Sequence, residues 1–146
     1  MTESEESTGS SAGPFLGALA IIVAVVIAIW LFNVFSGDGL TEEQQIARVA
    51  AGQNDALQRL DYADFRSYSC VALHRSESEV LDRQRESESQ RGNRVVERVD
   101  AVVIEGDRAT ADVTYYFDSN REAKETVPTT FVREGGGWKV CSPGPS

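Results

Sequence analysis

The chain has 146 residues, room for one globular domain and no second. It carries 14 Lys and Arg against 23 Asp and Glu, a formal charge of −9, and after Leu40 the balance is 14 against 19. A surface of that sign disfavours nucleic acid, which is bound through clustered cations and released counterions. The acidity itself reads as solubility.

Residues 1–13, rich in Ser, Thr and Glu, are expected to be a disordered acidic tail on the cytoplasmic side. The apolar run from Phe15 to Phe35 holds no charge and one strongly polar side chain, Asn33. As a helix rising ~1.5 Å per residue it reaches roughly 31 Å, enough to cross the ~30 Å hydrocarbon core. Helix is also the conformation lipid demands of a lone segment, because every backbone N–H and C=O must be satisfied internally. Residues 14–36 are therefore assigned as a transmembrane anchor, with Trp30, Phe32 and Phe35 toward one interface. A cleaved signal peptide is the rival reading. The acidic Met-Thr-Glu-Ser-Glu-Glu start and the length of the apolar core speak against it. Ala20, Ala24 and Ala28 share one helix face, a small-residue stripe that chance in an Ala-rich span also produces. The flanks hold no Lys or Arg before Arg48, so flanking charge does not set the orientation.

Residues 37–40 form a flexible linker. Thr41-Glu42-Glu43-Gln44 then has the form of a capping box, and Ile46, Val49, Ala50, Gln53, Leu57 and Leu60 recur at helical spacing. Asp61 is placed to cap a second helix that turns Phe65, Tyr68 and Val71 or Ala72 inward and ends near His74. A third, mostly polar helix spans Glu77 to Gln90, and Gly92-Asn93 stops it.

From Arg94 the apolar period changes from 3.6 to 2. Val95, Val99, Ala101 and Val103 form the first strand's row, and Gly106-Asp107 makes a tight hairpin. Ala109, Ala111, Val113, Tyr115 and Phe117 form the buried face of the second strand. After a turn at Ser119-Asn120, the third places Ala123, Val127 and Phe131 on one face, with Pro128 at an edge or a bulge. Gly135–Gly137 turns into a last strand from Trp138 to Ser142, and Pro143-Gly144-Pro145 ends the fold, leaving 143–146 as a tail. The fold class is α+β: a transmembrane helix, then three helices packed on a curved four-stranded antiparallel sheet over residues 41–142.

Asp61-Tyr62-Ala63-Asp64-Phe65 leading to Cys70, with Gly136-Gly137-Trp138-Lys139-Val140-Cys141 near the end, resembles membrane- or lipid-anchored actinobacterial envelope proteins. Those proteins carry a nuclear-transport-factor-2-like (cystatin-like) domain of unknown function. The resemblance implies an architecture and a compartment, not a reaction.

Cys70 ends a helix and Cys141 lies in the last strand, positions that helix-on-sheet packing can bring within disulfide range. We expect a bond, in an oxidising compartment, which puts residues 41–142 outside the cytoplasm and the anchor in the plasma membrane as a single pass. Two separately buried thiols are the alternative, favoured by Cys141 having the opposite parity to Trp138 and Val140.

No metal site is expected from His74 and two distant cysteines, and no cofactor from any motif. His74 at a helix end reads as a surface residue favoured by the helix dipole. Tyr62, Phe65, Tyr68, Tyr115 and Phe117 are the candidates to line a pocket in the sheet's concavity, with Asp64 the nearby acid. At helical and strand spacing such aromatics are more often core, and Asp64 reads as first-turn capping, so no catalytic residue is assigned. The arginines Arg83, Arg85, Arg91, Arg94 and Arg98, interleaved with acids, read as a solvated, ion-paired face or a dock for anionic envelope polymers or headgroups. The expectation is a non-enzymatic, membrane-inserted protein whose outer domain binds a protein partner of the envelope, or else a small apolar ligand in the concave pocket.

Overall fold

The computed structural model describes the backbone of residues 3–35 and 39–145 and the side chains of 13–32 and 39–145. It divides into two units, Met1–Leu40 and Thr41–Ser146.

In the first, helix α1 runs over Glu3–Phe35 with Pro14 inside it, and every described side chain from Gly13 to Phe32 is exposed. The stretch Gly13–Phe32 is long and apolar enough to cross a membrane. The helix begins well before the apolar run. Residues 3–13, expected to be disordered, continue the helix on the N-terminal side of Pro14. Met1, Thr2 and most of the expected linker, Ser36, Gly37 and Asp38, lie outside the described residues.

The second unit has three α-helices, α2 (Glu42–Gln58), α3 (Tyr62–Tyr68) and α4 (Glu77–Arg91). Each starts where a side chain takes up orphan N–H groups. Thr41 and Gln44 form the expected capping box on α2, Asp61 accepts from the Asp64 N–H on α3, and Ser76 with Glu79 forms a second box on α4. Thr41→Ala removes the side-chain acceptor for the Gln44 N–H and is expected to cost about 1 kcal/mol in urea unfolding. Asp61's carboxyl is held below its usual range, first by the Asp64 N–H and then by Arg59. A depressed carboxyl contributes stability above its unfolded pKa and loses it as pH falls through the folded value. The second helix ends earlier than expected. α3 stops at Tyr68, a separate 3-10 turn covers Val71–Leu73, and Val71 is 70% exposed rather than inward. α4 ends at Gly92, whose φ of +79° favours glycine.

The sheet is an antiparallel meander in the order β1 (Arg94–Glu105), β2 (Arg108–Phe117), β3 (Asn120–Glu134), β4 (Gly137–Val140). Strand β2 buries the expected row: Ala109, Ala111, Val113, Tyr115 and Phe117. The first strand does not. Irregularities between Val96 and Arg98 and between Asp100 and Val103 each shift the alternation, and Ala101 takes a φ of +52°. The row that packs on the core is therefore Val96, Val99, Val102 and Ile104, and Val103 is 53% exposed. On β3, Thr129 and Phe131 are buried and Val127 is partly so, while Ala123 is exposed. The β2–β3 turn is Asp118-Ser119, one residue earlier than expected, because Phe117 pairs with Asn120. Pro128 pairs with Asp112 on one side, and β4 reaches only as far as Phe131 on the other, so the proline sits on an edge stretch as its missing N–H requires.

Helix α2 lies across β1 and β4 and drives Ile46 and Ala50 into the sheet's inner face against Val113, Phe131, Trp138 and Val140.

Candidate functional site

Cys70 and Cys141 are joined in a disulfide, with Cα atoms 5.2 Å apart. Strand β4 ends at Val140, so Cys141 is released from the alternation that made its parity awkward. The chain around Cys70 lies parallel to β4 there: Ser69 bridges Val140, the Cys70 N–H donates to the Val140 carbonyl at 2.8 Å, and the Cys141 N–H donates to Thr130.

The aromatic candidates do not meet in one pocket. Tyr115 and Phe117 are buried in the sheet's inner face, capped by the guanidinium of Arg94 at 5.3 Å and of Arg91 at 3.7 Å respectively. Tyr62 donates its hydroxyl to the carbonyls of His74 and Arg75, and Tyr68 packs over Gly52. Of the five, Phe65 borders a cavity on the helical side. On the sheet's inner face Ile46 and Ala50 of α2 are buried in one core cluster with Val113, Tyr115 and Phe131. Asp64 carries an ion pair to Arg59 at 2.6 Å and accepts from Ser67, which leaves it a structural acid at the first turn of α3. The Nε2 of His74 lies 3.0 Å from the Ser69 carbonyl and 3.1 Å from that of Arg66, tying the loop to the end of α3. Among the described residues no group of three His, Cys, Asp or Glu is placed to hold a metal ion.

A cavity of about 280 Å³ opens instead on the helical side, between α2, α3, α4 and the residues after β4. Its apolar wall comes from Leu57, Phe65, Leu73 and Val80. Gln53, Gln84 and Arg94 add polar groups, and all three are buried. Pro143, Gly144 and Pro145 close one side. The tail thus folds back as a wall, held at its root by the disulfide and by the Thr130 N–H, which donates to Ser142 Oγ at 2.9 Å.

Arg94 is 9% exposed. Its position is set by the turn before it: Gly92 ends α4, and the Asp118 and Ser119 N–H groups donate to Asn93 and Arg91, which fixes where β1 starts. Asn54 on α2 then grips the residue twice, donating to its carbonyl at 2.9 Å and accepting from its Nε at 2.7 Å. Gln58 accepts from its backbone N–H, and the Pro145 carbonyl accepts from Nη1 at 2.6 Å. No carboxylate pairs with it among the described residues. Burial, with a further push from Arg91, holds its guanidinium below the ordinary arginine range, against an opposing pull from Tyr115. Burial in turn pushes the Tyr115 phenol up. At the cavity's rim stand Arg75, Arg83 and Glu79, and the Glu79 carboxylate is already engaged by the Ser76 N–H and hydroxyl. An acidic chain has here a pocket of net positive charge.

Two members of the arginine run depart from a solvated face. Arg94 is buried, and Arg91 stacks on Phe117 while pairing with Glu125 at 2.9 Å. Arg91 is the last residue of α4 and Arg94 the first of β1, on either side of the helix-to-strand turn, where spacing rules lapse. The pocket's polar groups left one trace in the sequence. Gln53 falls on the apolar stripe of α2, a polar residue at a core position.

Residues 72–142 match the sequence profile of a family described as low molecular weight antigen MTB12, C-terminal domain. No curated protein matches the chain. Among solved structures it is similar to a Campylobacter jejuni protein provisionally named an NTF2-like transpeptidase. The identity is 15% and the TM-score 0.49, over 66% of this chain and 97% of the other.

Proposed function

We propose that this is a single-pass membrane protein that holds a non-enzymatic, ligand-binding α+β domain outside the cytoplasm. The observation that carries the binding role is the 280 Å³ cavity, an open cleft lined by residues of three helices and a folded-back tail that combines buried polar groups with apolar side chains. Anchoring is supported by the exposed apolar stretch Gly13–Phe32. The outer location is supported by the disulfide and agrees with the matched family's description as an antigen. A non-enzymatic role is supported by the engagement of the reactive groups: both cysteines are bonded, His74 faces two carbonyls and Glu79 serves as a helix cap.

A protein partner has less support than a small ligand. The large hydrophobics exposed among the described residues of the second unit are Val71 and Val103, on separate elements, and they form no patch for docking. Native mass spectrometry of the full chain taken from its membrane is the test. We expect a small adduct that leaves on unfolding and that Val80→Phe, which fills the cavity, abolishes. Recovery only as a complex with a second polypeptide, with no adduct, returns the reading to a protein partner. Protease applied to spheroplasts is expected to remove residues 41–146; protection of that portion overturns the topology.

A further inference from the structure

We propose that the helix-side cavity binds a small amphipathic carboxylate, its anionic head on Arg94 and its apolar body against Leu57, Phe65, Leu73 and Val80. The inference rests on the ligand-binding role above and deepens it by naming the ligand's chemistry.

Three observations carry it. The first is a cation with no anion among the described residues. Burying an unpaired charge is costly, and folded proteins ordinarily meet it with a carboxylate or a metal-bound group. Arg94 has Asn54, a proline carbonyl and the face of Tyr115, all neutral. The second is spare donor capacity. A guanidinium carries five N–H groups. The described partners take Nε and one hydrogen of Nη1, so Nη2 and the other Nη1 hydrogen remain at a residue that borders the cavity. Hydrogens on the two Nη atoms are donors that a carboxylate's two oxygens can accept. The third is polarity across the space. Gln53 and Gln84 stand with Arg94 as its buried polar groups, while the four apolar side chains supply apolar lining, and the exposed Arg75, Glu79 and Arg83 with the half-buried Ser87 complete the helical side. Rim arginines Arg75 and Arg83 outnumber Glu79, so an approaching anion meets a favourable field on a protein that otherwise repels it.

Size bounds the ligand. A space of about 280 Å³ lies at the lower end of small-molecule pockets, which admits a small organic ligand and not a polymer. One buried arginine balances one negative charge, which favours a monocarboxylate over a polyanion.

The experiment titrates the full chain, held in phosphatidylcholine nanodiscs, with phenylacetate and octanoate and with their isosteric neutral partners phenylacetamide and octanamide. Binding is followed through the arginine Nε–Hε signals and by saturation-transfer NMR. We expect at least one carboxylate to saturate and to shift the Arg94 Nε–Hε signal, and its amide to bind at least thirty-fold more weakly, the lower end for an unpaired buried charge. Arg94→Gln is expected to erase the difference between acid and amide. Should that variant fail to fold, the comparison on the unmodified chain still decides, and Val80→Phe is expected to block both ligands. Equal binding of acid and amide overturns the carboxylate assignment and leaves the cavity as a ligand site. No binding of any of the four up to millimolar concentration overturns the ligand-binding role together with this inference.

Discussion

Replacing Cys70 and Cys141 together by alanine is expected to lower the unfolding free energy of residues 41–146 by about 4 kcal/mol. The bond closes a loop across a sequence separation of 71 residues, and in the chain-entropy account a loop of that size restricts the unfolded ensemble by roughly that amount. Domains possess about 5–15 kcal/mol in all, so the variant should stand near its folding threshold. Urea unfolding followed through the buried Trp138, in a Trp30→Phe background, reads the change directly. A loss under about 1 kcal/mol would show that the hydrogen bonds between the Cys70 segment and β4 hold that corner without the sulfur bridge.

The position of the bond gives the double substitution a second expected effect. Cys141 is followed at once by Ser142 to Pro145, the residues that close the cavity, and Pro145 supplies a carbonyl to Arg94. Freed at its root, the tail should exchange its backbone amides faster and expose Arg94, and ligand affinity should fall even at low temperature where the variant is folded. Stability and binding are thereby coupled through one covalent link.

The sequence was a good guide wherever one physical rule acted alone. The caps at Thr41 and Asp61 and the inward row on β2 needed only local hydrogen bonding and period 2, and all are present, although Thr114 on the opposite row is buried as well. The disulfide was legible from element order, because a helix end and a final strand meet whenever helices lie on a meander. The reading was wrong where two rules competed. On β1 the alternation of Val95, Val99, Ala101 and Val103 presumed an unbroken ladder, yet the strand bends twice and Ala101 takes a left-handed backbone that no pattern of side chains announces. The candidate site failed for a related reason. Tyr115 and Phe117 are both buried, but whether a buried face is a pocket or a core depends on what α2 lays over it, and Ile46 and Ala50 join Tyr115 in the core. The cavity that does exist is walled by Pro143-Gly144-Pro145, which in sequence reads as the end of a fold and not as part of it.

Phe131→Ala is expected to cost about 3–5 kcal/mol, against a change within about 0.5 kcal/mol for Val103→Ala. Both residues are large and apolar and both lie in long strands, so the difference tests register and not composition. Phe131 is fully buried and stands opposite Ala109 on β2 and Val140 on β4, where the two small or medium neighbours leave room for its ring under α2. Truncation there leaves a void that neither alanine nor valine can reach across, so the transfer and cavity terms add. Val103, by contrast, has been turned outward by the irregularity between Asp100 and Val103, and its methyls already meet water. Had β1 run without that break, Val103 would face the core, and its loss would cost at least 1 kcal/mol. Paired urea titrations of the two variants therefore report on the bend itself: a cost at Val103 approaching that at Phe131 would place the β1 row back on the unbroken alternation, and Val102 and Ile104 would have to leave the core.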